Sequence, residues 1–535
     1  MSPAANRWKT FALAHVWLLP ILLAALWLRL SGIAQEHLYG DEAEYAIVAR
    51  YLSRDAMFLA YPDITGLGAV PFVSQPPLIL YIMALSMKLF GATDFAALLP
   101  SVLFGVATVA VVYALGLRLG GPARERGARR FMGLGAAAIV AVLPFHIEMS
   151  RRAMLDSGYV FFLLLTTYYA VAWLQERSRS KAVGVGVATA CACLSKLPGV
   201  LAGPFVLAIF LLGLTISIVH KNKAQIRETL VQGGLGALPV AVGAALYLGL
   251  LGYLGAINDL WIKLVWQFGR FDTDFARVNE MAAFERDAMW YFTDPQFSLQ
   301  ESLMPLVFAV ALVGLAVVLV RLALRGRAPE HAVVPIFTAI ILGFFLYSDR
   351  KEGFYLLPLA PFAALYITYA GDGLRRLLAW GGLRFTPNAG RQAIGMVALT
   401  LGIVLVAAPA YGAASESVDD FVRGDDQEKY FGYGTREAAE FIHTRDPDAG
   451  QYGTLLGRFS LHWYNEQDSY HWYVDHTFLE SQIASGELKY VVFEDYLGLA
   501  FDRDYMRQLI DRYDGQPVET FRSGWGEVTV FELHP

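Results

Sequence analysis

Blocks of apolar residues, each about 18 to 25 residues long and with few or no charges, follow one another along most of this chain. A helix of that length crosses the roughly 30 Å hydrocarbon core of a bilayer. Charged residues make up only 17% of the chain, whereas a soluble domain has roughly 25%. The pattern therefore predicts a polytopic α-helical membrane protein and argues against a soluble enzyme.

Acidic residues concentrate at the C-terminal end. From Gly412 to Pro535 there are 24 acidic and 10 basic residues, against 24 acidic and 33 basic before Gly412. We therefore expect a transmembrane module over residues 1–411 and a soluble acidic domain over residues 412–535. Within that domain the residue pattern predicts helices at 435–444, where Thr435 could be the cap, and at 496–512, and strands at 489–493 and 527–533, as in a small α/β domain.

Basic clusters set the expected topology, because cytoplasmic loops of membrane proteins are enriched in Lys and Arg. The cluster at 118–130 is cytoplasmic only if the short apolar segment 76–91 does not cross the membrane, so we assign 76–91 to an interfacial or re-entrant helix on the outer face. The N-terminus is then cytoplasmic, and the loop 32–94 and the acidic tail face outward from a plasma (inner) membrane. About eleven spans result, near 11–31, 95–117, 131–148, 157–175, 183–195, 199–219, 231–255, 302–321, 331–347, 353–371 and 393–411.

The outer loop contains the first candidate site, in the segment 39–45 (Tyr-Gly-Asp-Glu-Ala-Glu-Tyr). On a surface helix Asp41 lies at the N-terminal end, on the same face as Tyr45. One interpretation is that Asp41 only caps the helix, a role worth about 1 kcal/mol. The other is that it is a catalytic carboxylate facing the membrane-embedded part of the protein.

Two further polar clusters lie at predicted outer ends of spans. The segment 150–157 combines Arg151 and Arg152 with Asp156, which could cap the next helix or, with the arginines, hold a phosphate or a polar substrate. The segment 348–358 contains Arg350 and Lys351 on the side where the charge rule disfavours cations. That exception favours an anionic ligand over simple snorkelling to lipid headgroups.

The order and spacing of five segments resemble a known family. They are the Asp-Glu helix after the first span, Pro76-Pro77-Leu78 to Tyr81 with the following Leu-Phe-Gly and Leu-Pro-Ser triplets, Ser150-Arg151 to Asp156, Lys196 to Gly199, and Lys351 to Pro358. Over about residues 10 to 370, the chain looks like the GT-C superfamily of polyprenyl-phosphate-dependent membrane glycosyltransferases, of the protein mannosyltransferase (glycosyltransferase family 39) and aminoarabinose transferase type.

The resemblance implies an inverting glycosyltransferase that moves a sugar from a polyprenyl-phosphate donor to an acceptor hydroxyl on a glycan, lipid or protein. Asp41 would be or position the base, supported by Glu42 and Asp156. No metal site is assigned, although a divalent cation (Mg²⁺ or Mn²⁺) stays open. Many relatives have Lys or His directly before the Pro-Pro pair, whereas this chain has Gln75. The donor phosphate would contact Arg152, Lys196, Arg350, Lys351 and Tyr355, and the rest of the substrate site would include Tyr45, Gln75 and Tyr81.

Two other functions fit part of the pattern. A secondary transporter would also have about eleven spans with outward carboxylates, but the internal repeats and broken midplane helices of transporters are not evident in the sequence. A non-catalytic lipid- or polysaccharide-binding membrane protein would use the same cations without needing Asp41. Nucleic acid is not an expected partner, because the basic residues are scattered in short loops.

Overall fold

The computed structural model is predominantly helical, with a small sheet near the C-terminus. This confirms the predicted fold class. The described residues are 16–33, 37–55, 60–61, 70–120, 126–268, 289–293, 305–325, 328–348, 353–380, 434–447, 449, 451–454, 458–465, 468–471, 476–494, 500–522 and 527–534.

Fifteen α-helices lie between Leu18 and Trp380 in the described part of the chain. They are α1 (Leu18–Leu30), α2 (Asp41–Asp55), α3 (Leu78–Phe90), α4 (Asp94–Leu119), α5 (Arg126–Val142), α6 (Pro144–Ser150), α7 (Asp156–Glu176), α8 (Arg179–Ser195), α9 (Ala202–Val219), α10 (Lys223–Tyr253), α11 (Ile257–Phe268), α12 (Trp290–Thr293), α13 (Pro305–Arg325), α14 (Val333–Tyr347) and α15 (Leu359–Trp380). Short 3₁₀ helices at Leu197–Leu201, Pro329–Ala332 and Gly353–Leu356 lead into α9, α14 and α15.

Six of the described helical segments are long and apolar enough to span a membrane. They contain α4, α7, α9, α10, α13 and α14, and the bent pair α5–α6 would make a seventh. The predicted spans near 11–31, 183–195 and 353–371 correspond to α1, α8 and α15, which fall outside that length and composition limit, and the predicted span 393–411 lies outside the described residues. Apolar side chains on the outside of α10, such as Leu246 and Leu238, are exposed as expected for a surface that faces lipid.

The predicted span at 131–148 is not one straight helix. It breaks between Val142 and Pro144, and α5 and α6 meet at an angle of 64°. Proline lacks an N–H, so Pro144 cannot donate to the Val140 carbonyl, its partner in a continuous helix. Pro144 instead occupies the first position of α6, where no donor is needed.

The described parts of the loop 32–94 contain two helices and a pair of short strands. Helix α3 lies within the predicted segment 76–91 and is 13 residues long, and strands β1 (Ala60–Tyr61) and β2 (Val70–Pro71) pair in antiparallel fashion. Helix α2 corrects the expectation of a surface helix. Its residues 45–50 are all buried, because α3 covers one side of α2 and a C-terminal helix covers another.

The C-terminal part is a mixed α/β unit, as predicted. Five strands, β3 (Gln451–Thr454), β4 (Asp468–His471), β5 (Leu488–Glu494), β6 (Gln516–Arg522) and β7 (Glu527–Glu532), form a sheet in the order β4-β3-β5-β7-β6. The β3 strand pairs in parallel with β4 and β5, whereas β7 pairs in antiparallel fashion with β5 and β6. The helices are α16 (Thr435–Arg445), α17 (Arg458–Asn465), α18 (His476–Ala484) and α19 (Ala500–Arg512).

Alternation along β5 builds a core on each face of this sheet. Val491 packs with α18 and α19, and Val492 packs with α16 and α17. Thr435 is not the cap of α16, because Gly434 precedes the helix at φ +97° and the Thr435 hydroxyl donates to Glu494.

The topology predicts how engineered cysteines react. With Cys191 and Cys193 replaced by serine, a cysteine at Gly127 should resist an impermeant thiol reagent added to intact cells. A cysteine at Glu487 in the C-terminal domain should react. Both sites are exposed, and a Cβ atom at Gly127 meets no other atom within 4 Å, so the substitution fits the fold. Labelling at Gly127 from outside would reverse the assigned orientation.

Candidate active site

Asp41 is the first residue of α2 and is exposed. Gly40 precedes it at φ +55°, a left-handed conformation that glycine adopts without strain, and the Gly40 carbonyl accepts a hydrogen bond from the Glu44 N–H at 3.0 Å. Gly40 is therefore the N-cap residue, so the cap interpretation of Asp41 does not hold. The Asp41 carboxylate makes no hydrogen bond or ion pair within the described part of the chain.

Glu42 ties the first turn of α2 to the segment that enters α7. Its Oε2 atom accepts a hydrogen bond of 3.0 Å from the Ala153 N–H. Ala153 and Leu155 in that segment are fully buried. The position of Asp41 is therefore linked, through its neighbour, to the start of α7.

Asp156 and Lys196 form a buried ion pair. The Lys196 ammonium donates to both carboxylate oxygens of Asp156, at 2.8 and 2.6 Å, and their side chains are only 6% and 4% exposed. Asp156 is the first residue of α7 but makes no capping hydrogen bond. Its carboxylate instead compensates the lysine, which could not be buried in charged form without a partner.

Two further predicted residues surround this pair. The Gln75 side-chain oxygen accepts a hydrogen bond of 3.1 Å from the Leu197 N–H, next to Lys196. The Lys196 ammonium lies 5.0 Å from the centre of the Phe354 ring, and the adjacent Tyr355 is half-buried and stacks on Phe345 at 4.9 Å. Four distant parts of the chain thus meet around one lysine.

The structure also describes three other predicted residues. Arg152 is exposed and pairs with Glu148 at 2.8 Å. Tyr45 is buried with its ring against the edge of Phe72, and Tyr81 lies on the exposed side of α3. Arg350 and Lys351 are outside the described residues.

Arg29, which the sequence showed only as a late arginine in an apolar span, organises the break between α5 and α6. Its fully buried guanidinium donates to the carbonyls of Val140 at 3.4 Å and Ala141 at 3.1 Å, both at the end of α5. It also bonds to Ser150 at 2.9 Å and His146 at 2.7 Å on α6. These donors replace the ones that the break removes.

Arg151, which follows α6, bonds in turn to α1, the helix that contains Arg29. Its guanidinium is buried and donates to the carbonyls of Leu28 and Ser31 at the C-terminal end of α1. We refer to Arg29 and Arg151 together as the arginine clamp. An arginine inside an apolar span is the signal that could have revealed it, since such residues normally have a partner in the bundle.

Helix α17 lies against α2. Arg50 of α2 donates to the carbonyls of Trp463 at 2.8 Å and His462 at 3.2 Å, and its guanidinium covers the Trp463 ring at 4.7 Å. The Trp463 ring N–H donates to Asp94 at 2.6 Å, and the Tyr464 hydroxyl accepts from the Leu38 N–H at 2.8 Å. These aromatic residues form a buried contact with α2.

One titratable pair lies at the edge of this contact. The His37 imidazole is 3.8 Å from Glu437 on α16. Burial lowers the pKa of His37, with Arg436 acting in the same direction and Glu437 opposing it. The pair therefore adds little charge attraction at neutral pH.

Within the described ranges, no group of three or more His, Cys, Asp or Glu side chains is arranged to hold a metal ion.

Solved structures of other proteins share the fold of this chain. The chain superimposes on ArnT from Cupriavidus metallidurans bound to undecaprenyl phosphate with a TM-score of 0.64, covering 97% of this chain and 98% of that one at 17% identity. The oligosaccharyltransferase AglB from Archaeoglobus fulgidus, in complex with an inhibitory peptide and a dolichol-phosphate, gives a TM-score of 0.57 at 13% identity over 91% of this chain and 70% of that one. The chain has the fold of the GT-C membrane glycosyltransferases.

Part of the sequence is also similar to known glycosyltransferases. Residues 74–242 match the family model of dolichyl-phosphate-mannose-protein mannosyltransferases. A putative mannosyltransferase of Bacillus subtilis, YycA, is 31% identical over 148 residues, which are 28% of this chain and 20% of that protein. The chain therefore aligns with only about a fifth of the length of this curated relative. The predicted resemblance to the GT-C superfamily is confirmed.

The residues that match the mannosyltransferase family model, 74–242, include Gln75, Asp156 and Lys196 but not Asp41. The buried ion pair thus lies in the part of the chain with detectable family similarity. Asp41 is connected to that part by the Glu42 contact.

The buried Asp156–Lys196 pair should contribute more to stability than the nearby exposed Arg152–Glu148 pair. Asp156→Asn leaves Lys196 buried without its counter-charge and should lower the free energy of unfolding by about 3 to 5 kcal/mol. Arg152→Gln breaks the exposed pair with Glu148 and should cost less than about 1 kcal/mol. Denaturant titration in mixed micelles measures both.

A double substitution tests whether the loss comes from the pair itself. Asp156→Asn combined with Lys196→Met should destabilise the protein by less than the sum of the single changes. Equal effects of Asp156→Asn and Arg152→Gln would contradict the importance of the buried pair.

The arginine clamp makes a separate prediction. Arg29→Leu removes the donors to two buried carbonyls and should lower the free energy of unfolding by about 2 to 6 kcal/mol, at about 1 to 3 kcal/mol for each unsatisfied group. Arg54→Leu, at an exposed position in the last turn of α2, is the control and should have little effect. If the two variants melt at the same temperature, Arg29 does not stabilise the break.

Proposed function

We propose that this chain is an inverting glycosyltransferase that transfers a sugar from a polyprenyl-phosphate donor to an acceptor hydroxyl at the outer face of the membrane. The observation that carries the proposal is the exposed carboxylate of Asp41. It stands at the start of a helix whose next residues are buried, and the Glu42 contact holds it beside the segment that leads to the Asp156–Lys196 pair. The fold, shared with an ArnT structure bound to undecaprenyl phosphate, supports the donor class.

The chemistry requires few groups. A phosphate is already a good leaving group, so departure of the sugar needs charge stabilisation and no general acid. The acceptor hydroxyl needs a base to orient it or to remove its proton. Asp41 supplies that base, and attack from the face opposite the phosphate inverts the anomeric carbon.

Glu42 and Asp156 are positioning residues in this proposal. The Glu42 carboxylate is engaged with the Ala153 N–H, and Asp156 is engaged with Lys196. Neither is as open to an acceptor as Asp41. Their role is to hold the first turn of α2 and the start of α7 at a constant separation.

Lys196 is the described cation best placed for the donor phosphate. Asp156 accepts two of its hydrogen bonds, so a third N–H remains for a phosphate oxygen, beside the Phe354 ring and Tyr355. Arg152, Arg350 and Lys351 complete the proposed phosphate contacts. For Arg152 to bind the donor phosphate, it has to break its ion pair with Glu148. Tyr45, Gln75 and Tyr81 stay as proposed contributors to the remaining substrate site.

Asp41→Asn tests the catalytic assignment. The amide keeps the shape of the side chain but cannot accept a proton, so the transfer rate should fall about 10² to 10⁴-fold. The assay is transfer of radiolabel from a panel of undecaprenyl-phosphate sugars to acceptors in a membrane extract. The melting temperature of the Asp41→Asn variant should match that of the wild type, because the Asp41 side chain makes no hydrogen bond or ion pair with the described residues.

Glu44→Gln is the matched control, since it removes one negative charge from the same first turn. It should retain most of the activity. Near wild-type transfer by Asp41→Asn would reject Asp41 as the base. Absence of transfer by the wild-type protein from every polyprenyl-phosphate sugar in the panel would reject the proposed donor class.

A further inference from the structure

An open groove lies between α4, α5 and α7, at the end of the bundle away from Asp41. Helix α4 begins at Asp94, which contacts α17, and its 26 residues carry it about 40 Å to Leu119 beside the groove. The groove has a volume of about 380 Å³, and ligand sites are typically about 300 to 1,000 Å³. Its lining consists of Ala114, Leu117, Arg118, Arg129, Tyr168 and Gln175.

Arg129 presents unused donors to this groove. Its Nε–H donates to the Leu117 carbonyl at 2.9 Å, whereas its two terminal amino groups have no hydrogen bond or ion pair among the residues that the structure describes. Close packing of α4 on α5 fixes the backbone here, since a Cβ atom on Gly120 would lie 2.5 Å from the Arg129 Cα. The guanidinium is therefore held in place with its outer edge available.

Arg118 forms the opposite wall. It donates to the Gln175 side chain at 3.2 Å, pairs with Glu176 at 2.8 Å and lies over the Tyr168 ring at 4.9 Å. Glu176 is the one acidic side chain paired at this wall in the described residues, and it also lies 3.8 Å from Lys181. The charge balance of the groove therefore stays positive.

We propose that this groove binds the phosphate group of an anionic phospholipid from the membrane leaflet on its side. The guanidinium fork matches phosphate oxygens in geometry, and basic pockets between transmembrane helices at a membrane surface bind anionic headgroups. The apolar side chains of Ala114 and Leu117 and the Tyr168 ring provide a surface for the adjoining acyl chain. This site is separate from the proposed sugar-transfer site and does not depend on it.

Lipid retention by the purified full-length chain tests the proposal. In native mass spectrometry from micelles that contain equal amounts of phosphatidylglycerol and phosphatidylcholine, the protein should retain phosphatidylglycerol preferentially. Arg129→Gln should lower that retention about fivefold, the effect of one basic contact with an anionic headgroup. Arg130→Gln, on the exposed neighbour outside the groove lining, is the matched control and should leave retention unchanged.

A second variant covers the possibility that Arg129→Gln misfolds. Gln175→Glu adds a negative charge to the groove wall but can still accept the hydrogen bond from Arg118, so it should fold and also lose phosphatidylglycerol. Equal retention of both lipids by the wild type, or equal losses in the Arg129 and Arg130 variants, would overturn the proposal. Displacement of phosphatidylglycerol by millimolar inorganic phosphate would assign the groove to free phosphate instead of a lipid.

Discussion

A helix that breaks among membrane spans leaves backbone carbonyls that lipid cannot satisfy, and the rest of this structure depends on how the break at Pro144 is resolved. Arg29 donates to the two carbonyls at the end of α5, and Arg151 donates to carbonyls at the end of α1. The clamp thereby allows a 64° bend in a buried setting. The bend brings the segment after α6, with Ala153 and Asp156, to α2 and to Lys196.

The same helix α2 is also held from the opposite side by the C-terminal part of the chain. Arg50 bonds to two carbonyls near the end of α17, and Trp463 of α17 bonds to Asp94 at the start of α4. The acidic tail thus forms part of the packing around α2, because its aromatic residues bury the middle of the helix that begins with Asp41. A helix held by buried contacts along its length keeps its first turn in place, which a base for hydroxyl activation requires.

Much of the fold could be predicted from local sequence. The apolar blocks predicted most of the spans, and the short apolar segment 76–91 predicted a separate helix. The strand-like residues 489–493 and the alternation at 527–533 predicted two strands of the tail. The break at Pro144 had a local signal in the proline itself. The burial of α2 under α17 had none, because Trp463 and its neighbours lie about 400 positions further along the chain.

The candidate site shows the same division between local and distant information. Asp41 and Asp156 were identified from their places at helix starts, and both do begin helices. Their different environments depend on long-range packing, which brings Lys196 to Asp156 and leaves Asp41 exposed. Composition and spacing contain no information on which carboxylate receives the lysine.

The pairing of Asp156 with Lys196 and the exposure of Asp41 have a chemical consequence. A carboxylate that compensates a buried lysine is committed to that charge, since releasing it would leave Lys196 unpaired in a medium that solvates ions poorly. An exposed carboxylate has no such commitment and can accept a proton without disrupting a pair. The structure therefore gives the two aspartates different environments: Asp156 keeps the start of α7 and Lys196 together, and Asp41 is exposed, as the base in the proposed mechanism needs to be.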